Sequence, residues 1–292
     1  PTPLGDAVTA AVWPDEETRR WALRVLAVCL TGYPDRALPI LLGETGRGKT
    51  QVVTLLMSVL GSYAHAANPK LLLSNANVHD SIVFALKGRR MSFIDEGPSE
   101  RKAGQERLKQ LTGGGELTAN AMHKDPVTFR PTHTLVLTAN DEPVLTDPAV
   151  IARVRLLPCH GDPDAVGRAR AAIGSLRGHA WRQEAPGVLA AMMSEAAGWL
   201  LEPTTGSTGA APEGIRYLAE SLAVEQDPVA TWLAEETEPW EAGTASRELY
   251  QAFRVSCQAS GIARDQVPSE TRWGRELTRH GYPSFHTEHG KR

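Results

Sequence analysis

Residues 41–53 read LLGETGRGKTQVV, and this stretch decides the fold class. Residues 43–50 match the pattern G-x-x-x-x-G-K-[ST] in full, between a strand-like apolar run and a helix-like one. In such a loop, glycines let backbone N–H groups surround phosphate oxygens at the amino end of a helix. The segment predicts a nucleotide-binding loop formed by Gly43, Glu44, Thr45, Gly46, Arg47, Gly48, Lys49 and Thr50.

Two residues of this loop have side chains suited to ATP and Mg²⁺. Lys49 is expected to reach the β- and γ-phosphates, and the hydroxyl of Thr50 is expected to bind Mg²⁺. The alternative is a glycine-rich turn with a solvated lysine. The flanking apolar runs favour the phosphate-binding interpretation, because the motif requires a strand before it and a helix after it.

Polar residues follow two further strand-like runs. After MSFI, Asp95 is expected to hold Mg²⁺, and Glu96 is expected to orient or deprotonate the attacking water. A pair of exposed acids is the alternative, and their position after a phosphate-binding loop favours the catalytic interpretation. After TLVLTA, Asn140 is placed to hydrogen-bond the γ-phosphate and the water. A simple turn explains Asn140 equally well.

The composition is that of an ordinary globular protein of 292 residues, with net charge −3 and pI near 6.4. This charge argues against extensive coating of nucleic acid but permits a local basic site. Cys29, Cys159 and Cys257 are far apart, which argues against a disulfide framework or a cysteine zinc site. No apolar run approaches the ~20 residues of a membrane span, and no secretory signal is visible. These features predict a soluble intracellular protein.

Strand and helix patterns divide the chain into parts. Strands alternating with helices over residues 38–140 predict an α/β core with a largely parallel sheet. A helix is predicted over 15–30, and the pattern becomes helical from 164 to 202. We therefore predict one domain over 1–202, a linker over 203–224, and a second domain over 225–292 with three amphipathic helices and a terminal strand.

Four stretches in order, GETGRGKT, LKGRRMSFIDEG, RLKQLTGGGELTANAMHKDPVTFRPT and LVLTANDEP, resemble superfamily 3 helicases. The resemblance is greatest to the helicase part of phage, plasmid and poxvirus primase–helicases. It implies an AAA+-like P-loop NTPase core with a C-terminal winged-helix domain. It also implies an ATP-dependent DNA helicase, in which a hexameric ring moves on single-stranded DNA during phage or plasmid replication. The implied setting is the cytoplasm of a bacterial host, with a primase domain or primase protein as partner and no membrane.

The same resemblance implies roles for further residues. A hairpin ending near Lys124 would grip the DNA backbone, with His123 beside it. Lys109 is assigned to DNA or nucleotide contact, with a solvated helix lysine as an equal alternative. Arg153 matches the arginine finger that reaches the nucleotide of the next subunit. Arg155, or a plain salt bridge, is the alternative.

In the last domain, Arg272, Arg275 and Arg279 recur at helical spacing and are expected on one face of a DNA-binding helix. A solvated basic face on a small packing module is an equal alternative. Two rival functions remain open for the whole chain. One is an ATPase switch or loader that does not unwind, and the other is a winged-helix DNA-binding module whose P-loop is structural.

Overall fold

The chain forms two compact units, Pro1–Ala219 and Glu220–Arg292, each described here by itself. The computed structural model describes residues 2–33, 36–72, 79–95, 105–143, 145, 147–201, 211–216, 228–238, 244–260, 267–284, 286–287 and 290–291. Most of the predicted linker 203–224 lies outside these described residues.

A five-stranded parallel sheet forms the centre of the first unit, in the order β2-β3-β6-β1-β7. A separate antiparallel hairpin, β4-β5, is inserted between β3 and β6. The sequence-based prediction of an α/β fold with a largely parallel sheet is confirmed. The strands are β1 (Leu38–Leu42), β2 (Ala64–Ala66), β3 (Met91–Ile94), β4 (Leu117–Ala119), β5 (Val127–Phe129), β6 (Thr134–Ala139) and β7 (Val154–Pro158).

Helices of very different lengths surround this sheet. The helix predicted over 15–30 ends earlier than expected: it is capped by Asp15 and gives way to a 3-10 turn at Val28–Thr31. The first helix was not predicted; its Pro3 lies at the helix start, and Val8 and Val12 are buried. The helices are α1 (Pro3–Val12), α2 (Glu16–Ala27), α3 (Lys49–Leu60), α4 (Asp80–Phe84), α5 (Gln105–Thr112), α6 (Pro148–Ile151), α7 (Pro163–Ile173) and α8 (His179–Leu201).

The parallel register brings the ends of three strands together. Every residue of β3 and β6 is buried, so both faces of these strands are covered. Leu42 pairs with Ala139, and Ile94 pairs with Leu137. Because neighbouring parallel strands end at the same edge, the residues that follow β1, β3 and β6 are close in space.

The second unit has a small aromatic core. Its helices Pro228–Glu236, Ser246–Ala259 and Glu270–Arg279 occur where amphipathic helices are predicted. Trp232, Phe253 and Trp273 pack together, with ring centroids 5.6 to 6.4 Å apart. The two-residue strands His286–Thr287 and Gly290–Lys291 pair in antiparallel fashion. The winged-helix assignment of this unit stays a prediction.

Membrane insertion finds no support in the helices that the structure describes: none of them is both long and apolar enough to cross a bilayer. The longest, α8, has Pro186 in its interior and mixes charged with apolar residues.

Candidate functional site

The loop between β1 and α3 requires glycine for steric reasons. Gly46 and Gly48 have φ of 89° and 88°, a region that favours glycine. A Cβ on Gly48 would lie 2.4 Å from Cγ2 of Val12, a buried residue of α1. The loop is thus held tightly against α1 and delivers the chain directly into α3, which begins at Lys49.

Lys49 lies inside this loop, with 8% of its surface exposed. Its Nζ donates hydrogen bonds to the Gly43 carbonyl, to the Glu44 carbonyl at 2.9 Å and to Asn140 Oδ1 at 2.8 Å. A buried ammonium needs such acceptors because its desolvation is costly. The contact with Asn140 joins the end of β6 to the loop after β1.

A hydroxyl–carboxylate cluster lies next to Lys49. Asp95 Oδ1 accepts hydrogen bonds from Thr50 Oγ1 at 3.2 Å and from Thr138 Oγ1 at 2.8 Å. Thr138 is 1% exposed and had not been singled out from the sequence. No local signal marked it, because its role depends on the contact with Asp95, which is 43 residues earlier in the chain. Glu96, predicted to act on water, lies outside the described residues.

A second polar pair shapes the outer part of the loop. Arg47 Nη2 contacts Glu44 Oε2 at 2.6 Å, and Arg47 Nη1 donates to the Gly161 carbonyl at 3.1 Å. The hydrogen bond and the charge of Arg47 lower the pKa of Glu44. Arg47 therefore connects the loop to the segment before α7.

The loop and cluster open onto a cleft of about 600 Å³. Helix α7 and the residues after it form the opposite wall, through Val166, Ile173, Leu176 and the exposed Arg170. Aliphatic side chains beside a phosphate-binding loop are suited to contact a nucleobase and sugar. Sequence reasoning missed this wall: the apolar spacing of α7 indicates an amphipathic helix but not which site it borders.

The three cysteines are free and buried. Burial raises the pKa of Cys159 and of Cys29 to about 12, so both thiols are protonated at neutral pH. Among the described residues, no group of three or more His, Cys, Asp or Glu side chains is arranged to hold a metal ion.

The β4-β5 hairpin places the predicted DNA-contacting residues at its tip. Lys124 and His123 are exposed, and His123 has a φ of 59°. The turn is closed by hydrogen bonds from Lys124 N to the Ala121 carbonyl and from Asn120 Nδ2 to the Lys124 carbonyl. Met122, which sequence reasoning had not singled out, is 63% exposed at the same tip.

Arg153 lies beside the amino end of β1, whereas Lys49 follows its carboxyl end. The Arg153 carbonyl accepts from Leu38 N at the start of β1, whereas Lys49 follows the end of that strand. The two ends of a strand of this length are roughly 13 Å apart. The structure therefore does not bring Arg153 to the cleft of its own chain. Arg155 instead donates to the Ala152 and Val154 carbonyls, close to it in sequence.

Lys109 is half-buried, forms an ion pair and does not line the cleft beside Lys49. Its Nζ lies 2.7 Å from Asp147 Oδ2. Burial favours a raised pKa for Asp147, but hydrogen bonds from Lys109 and from Ala149 N outweigh it and lower the pKa. Burial, together with the nearby charge of Arg36, lowers the pKa of Arg153.

In the second unit, the three predicted arginines share a solvent-facing surface. Arg272, Arg275 and Arg279 are exposed, whereas Trp273 and Leu277 of the same helix are buried. Arg279 Nη1 lies 3.0 Å from Glu276 Oε2, so part of this surface charge is neutralised locally. DNA contact by this face stays a prediction.

Comparison with known proteins identifies relatives in large DNA viruses. Residues 41–153 match a family model described as "Family of unknown function (DUF5906)". The chain is 28% identical over 153 residues to "Putative helicase L207/L206" of Acanthamoeba polyphaga mimivirus, covering 50% of this chain and 16% of that protein. It is 29% identical over 132 residues to "Putative primase C962R" of African swine fever virus, covering 44% and 14%. The chain thus spans less than a fifth of these relatives.

Solved structures show a similar fold. The apo structure of the "NrS-1 C terminal region-CTR" (A form) superposes with a TM-score of 0.53 at 13% sequence identity, covering 96% of this chain and 62% of that one. The family match begins in β1 and ends at Arg153. It therefore includes the loop, the hydroxyl–carboxylate cluster and the hairpin, and it leaves α7, α8 and the second unit outside.

Proposed function

We propose that this protein is an ATP-dependent DNA helicase of superfamily 3, with an AAA+-like P-loop NTPase core that moves on single-stranded DNA. One observation carries the proposal: Lys49, Thr50, Asp95 and Asn140 meet at the carboxyl edge of one parallel sheet. These four residues come from three strand ends. They provide an ammonium, a hydroxyl, a carboxylate and an amide within hydrogen-bonding distance, which is the set that phosphoryl transfer needs.

Each residue has a role that follows from its chemistry. Lys49 would neutralise charge on the β- and γ-phosphates, and the backbone N–H groups of residues 46–50 would surround them. The adjacent Thr50 and Asp95 oxygens fit Mg²⁺, which prefers oxygen ligands and neutralises phosphate charge when bound. Asn140 would orient the attacking water, and Glu96 would accept its proton.

The position of Arg153 is the reason for proposing an oligomer. Because it lies at the sheet edge away from Lys49, it would act on a nucleotide held by a neighbouring subunit, where its fixed charge stabilises the transition state. Head-to-tail contact of this kind generates a closed ring when the rotation between subunits closes, and we propose a hexamer. The exposed hairpin tip with Lys124 would then contact DNA phosphates inside the ring.

The viral relatives support a role in DNA replication, since their names include helicase and primase. Because the matched parts are a small fraction of those proteins, a separate primase domain or primase protein is proposed as a partner. Nucleotide turnover, DNA unwinding and ring formation are each testable on this chain.

The first test is ATP hydrolysis with and without single-stranded DNA. Lys49→Ala is expected to abolish turnover because the phosphates lose their buried cation. Arg153→Ala is expected to lower it by about 10³-fold or more, as removal of an arginine finger does. Lys70→Ala and Arg168→Ala remove exposed charges of the same types elsewhere and serve as matched controls.

A mixing experiment then tests the shared site. When Lys49→Ala and Arg153→Ala subunits are combined, about one boundary in four would hold an intact Lys49 and an intact Arg153. Partial recovery of turnover is therefore expected. Mixtures that stay as inactive as the separate variants, in a wild type of oligomeric mass that hydrolyses ATP, would contradict a site shared between subunits.

The rival functions predict different results. An ATPase switch or loader would hydrolyse ATP in an assembled ring without displacing a DNA strand. A DNA-binding module with a structural P-loop would retain its function in the Lys49→Ala variant. Strand displacement measured beside turnover therefore separates all three.

A further inference from the structure

Helix α5 lies between the two parts that the proposed motor has to connect. The β4-β5 hairpin follows its carboxyl end, and Arg153 docks on its last turn. Arg153 Nη1 donates to the Lys109 carbonyl at 2.9 Å and to Thr112 Oγ1 at 2.7 Å. No residue of this contact belongs to the nucleotide cleft described above.

Thr112 has a hydroxyl that is fixed in both of its roles. It donates to the Leu108 carbonyl at 2.6 Å and accepts from Arg153, and only 8% of the residue is exposed. A hydroxyl has one proton, so donation to Leu108 leaves its lone pairs for Arg153. Thr112 therefore helps to hold the guanidinium of Arg153, together with the Lys109 carbonyl.

The position of Arg153 on α5 is favourable for electrostatic reasons. The carbonyls in the last turn of a helix have no partner within the helix, and they carry the negative end of its dipole. The guanidinium of Arg153 bonds the Lys109 carbonyl at this end. Both of these contacts with α5 are made by Nη1 of Arg153.

A second contact holds the segment before Arg153 to the same helix. Lys109 Nζ pairs with Asp147, whose Oδ1 accepts from Ala149 N at the start of α6. Arg153 N in turn bonds the Val150 carbonyl of α6. The turn that presents Arg153 is thus fixed to α5 at both ends, by Lys109–Asp147 and by Thr112–Arg153.

The base of the hairpin lies close to Thr112. A cavity of about 10 Å³ is lined by Thr112, by Gly114 before β4, and by Pro131 and His133 after β5. Gly114 has a φ of 74°, so the chain turns sharply just after Thr112. Both ends of the hairpin therefore converge beside the hydroxyl that holds Arg153.

We propose that Thr112 is a positioning residue that couples DNA at the hairpin tip to the reach of Arg153 toward the neighbouring nucleotide. The inference rests on the proposed function. A shift of the hairpin on its glycine-rich base moves the end of α5, and with it the docked guanidinium. Because coupling between two sites is reciprocal, nucleotide binding would change DNA affinity by the same factor as DNA changes nucleotide affinity.

The test compares ATP turnover with and without single-stranded DNA in the wild type, Thr112→Val and Thr112→Ser. Valine keeps the shape and removes the hydroxyl, whereas serine keeps the hydroxyl. Thr112→Val is expected to lower the stimulation by DNA about fivefold or more, in the range of measured couplings. Its affinity for a fluorescent ATP analogue, and for single-stranded DNA without nucleotide, is expected to match the wild type. Thr112→Ser is expected to restore the stimulation.

Thr237→Val is the matched control. Thr237 also donates to the carbonyl four residues earlier at a helix end, but no guanidinium among the described residues bonds it. A Thr112→Val protein stimulated as strongly as the wild type would overturn the inference. So would an equal loss in the valine and serine variants together with a lowered melting temperature, because that result indicates a purely structural role.

If Thr112→Val does not fold, Asp147→Asn tests the same coupling by removing the charge that holds Lys109. Stimulation equal to the wild type in that variant would overturn the inference. A wild type that hydrolyses ATP without any response to DNA would instead contradict the proposed function, and the coupling with it. The response of the wild type to DNA therefore distinguishes a failure of the inference from a failure of the proposed function.

Discussion

Single residues at the candidate site are determined by what a buried charge needs. Lys49 is nearly inaccessible, and its ammonium is satisfied by two carbonyls of its own loop and by Asn140. The Asn140 side chain thus touches the group that would bind phosphate. This contact favours the site interpretation of Asn140 over a simple turn residue.

Asn140→Ala tests that interpretation. The variant is expected to bind nucleotide with little change, because the loop carbonyls still hold Lys49. Its turnover is expected to fall about a hundredfold, the usual loss when one polar group that stabilises the transition state is removed from an enzyme. Titration with a fluorescent ATP analogue, followed by steady-state hydrolysis, measures both effects. Unchanged turnover would indicate that Asn140 is only a turn residue.

His133 makes stability depend on pH. Burial lowers its pKa to about 4, against the opposing effect of the Leu111 backbone. Between about pH 6.5 and pH 4 the unfolded chain therefore binds a proton that the folded chain does not bind. The stabilisation is complete above pH 6.5 and is lost as the pH falls toward 4, by about 3 kcal/mol in total.

The corresponding experiment is urea unfolding of the wild type and of His133→Leu at pH 7.5 and pH 5. The wild type is expected to lose more stability between these pH values than the variant, because leucine does not titrate. Equal losses in both proteins would show that other groups, such as His65, cause the pH dependence. Burial also lowers the pKa of His65.

At the scale of elements, the hairpin is the part of the first unit best suited to contact a nucleic acid. β4 and β5 pair with each other and not with the central sheet. The pairing is supported by the Thr118–Thr128 hydroxyl contact at 2.9 Å. Its tip carries Lys124 and the exposed Met122, so a cation and an apolar side chain face solvent together.

Lys124→Ala is expected to weaken binding of single-stranded DNA similarly for all sequences. Since one phosphate contact is lost, the slope of log affinity against log salt is expected to decrease by about 0.7. Fluorescence anisotropy over a salt series measures this slope. Lys87→Ala, which removes a lysine near the Phe84 ring, is the control. A slope unchanged in Lys124→Ala would exclude this lysine from phosphate contact.

At the scale of the whole molecule, the two units have separate cores. The core of the second unit consists of residues from its own three helices, with Trp273 at 1% exposure and Phe253 fully buried. The first unit contains the whole candidate nucleotide site. The predicted DNA contact of the exposed arginine face can therefore be tested by substitutions that leave the residues of the nucleotide cleft unchanged.

Trp273→Ala is expected to destabilise the second unit by about 3–5 kcal/mol, the usual cost of removing a large buried side chain. The first unit is expected to keep its nucleotide affinity because it has its own core and contains the residues that line the cleft. Calorimetry is expected to show one transition lowered and one retained. A single transition lowered as a whole, together with weaker nucleotide binding, would contradict independent units.

The sequence by itself determined the elements whose signal is local. The loop at 43–50 predicted its strand and helix, since glycine spacing and apolar runs are short-range patterns. The β3 and β6 strand ends with Asp95 and Asn140 followed from the same reasoning. Helix α1, the α7 wall and Thr138 were missed, because their importance depends on which distant residues they contact.

Only the tertiary structure decided the side-chain partners. The parallel register placed Asn140 on Lys49 and Asp95 on Thr50, whereas it placed Arg153 at the opposite edge. Lys109, for which the sequence left DNA contact and solvation open, is paired with Asp147. Local sequence fixes how the chain bends and which face is apolar, but distances between remote residues follow from strand order and packing. The loop at 43–50 can therefore be predicted from the sequence, whereas the contacts of Arg153 with α5 can be found only in the folded chain.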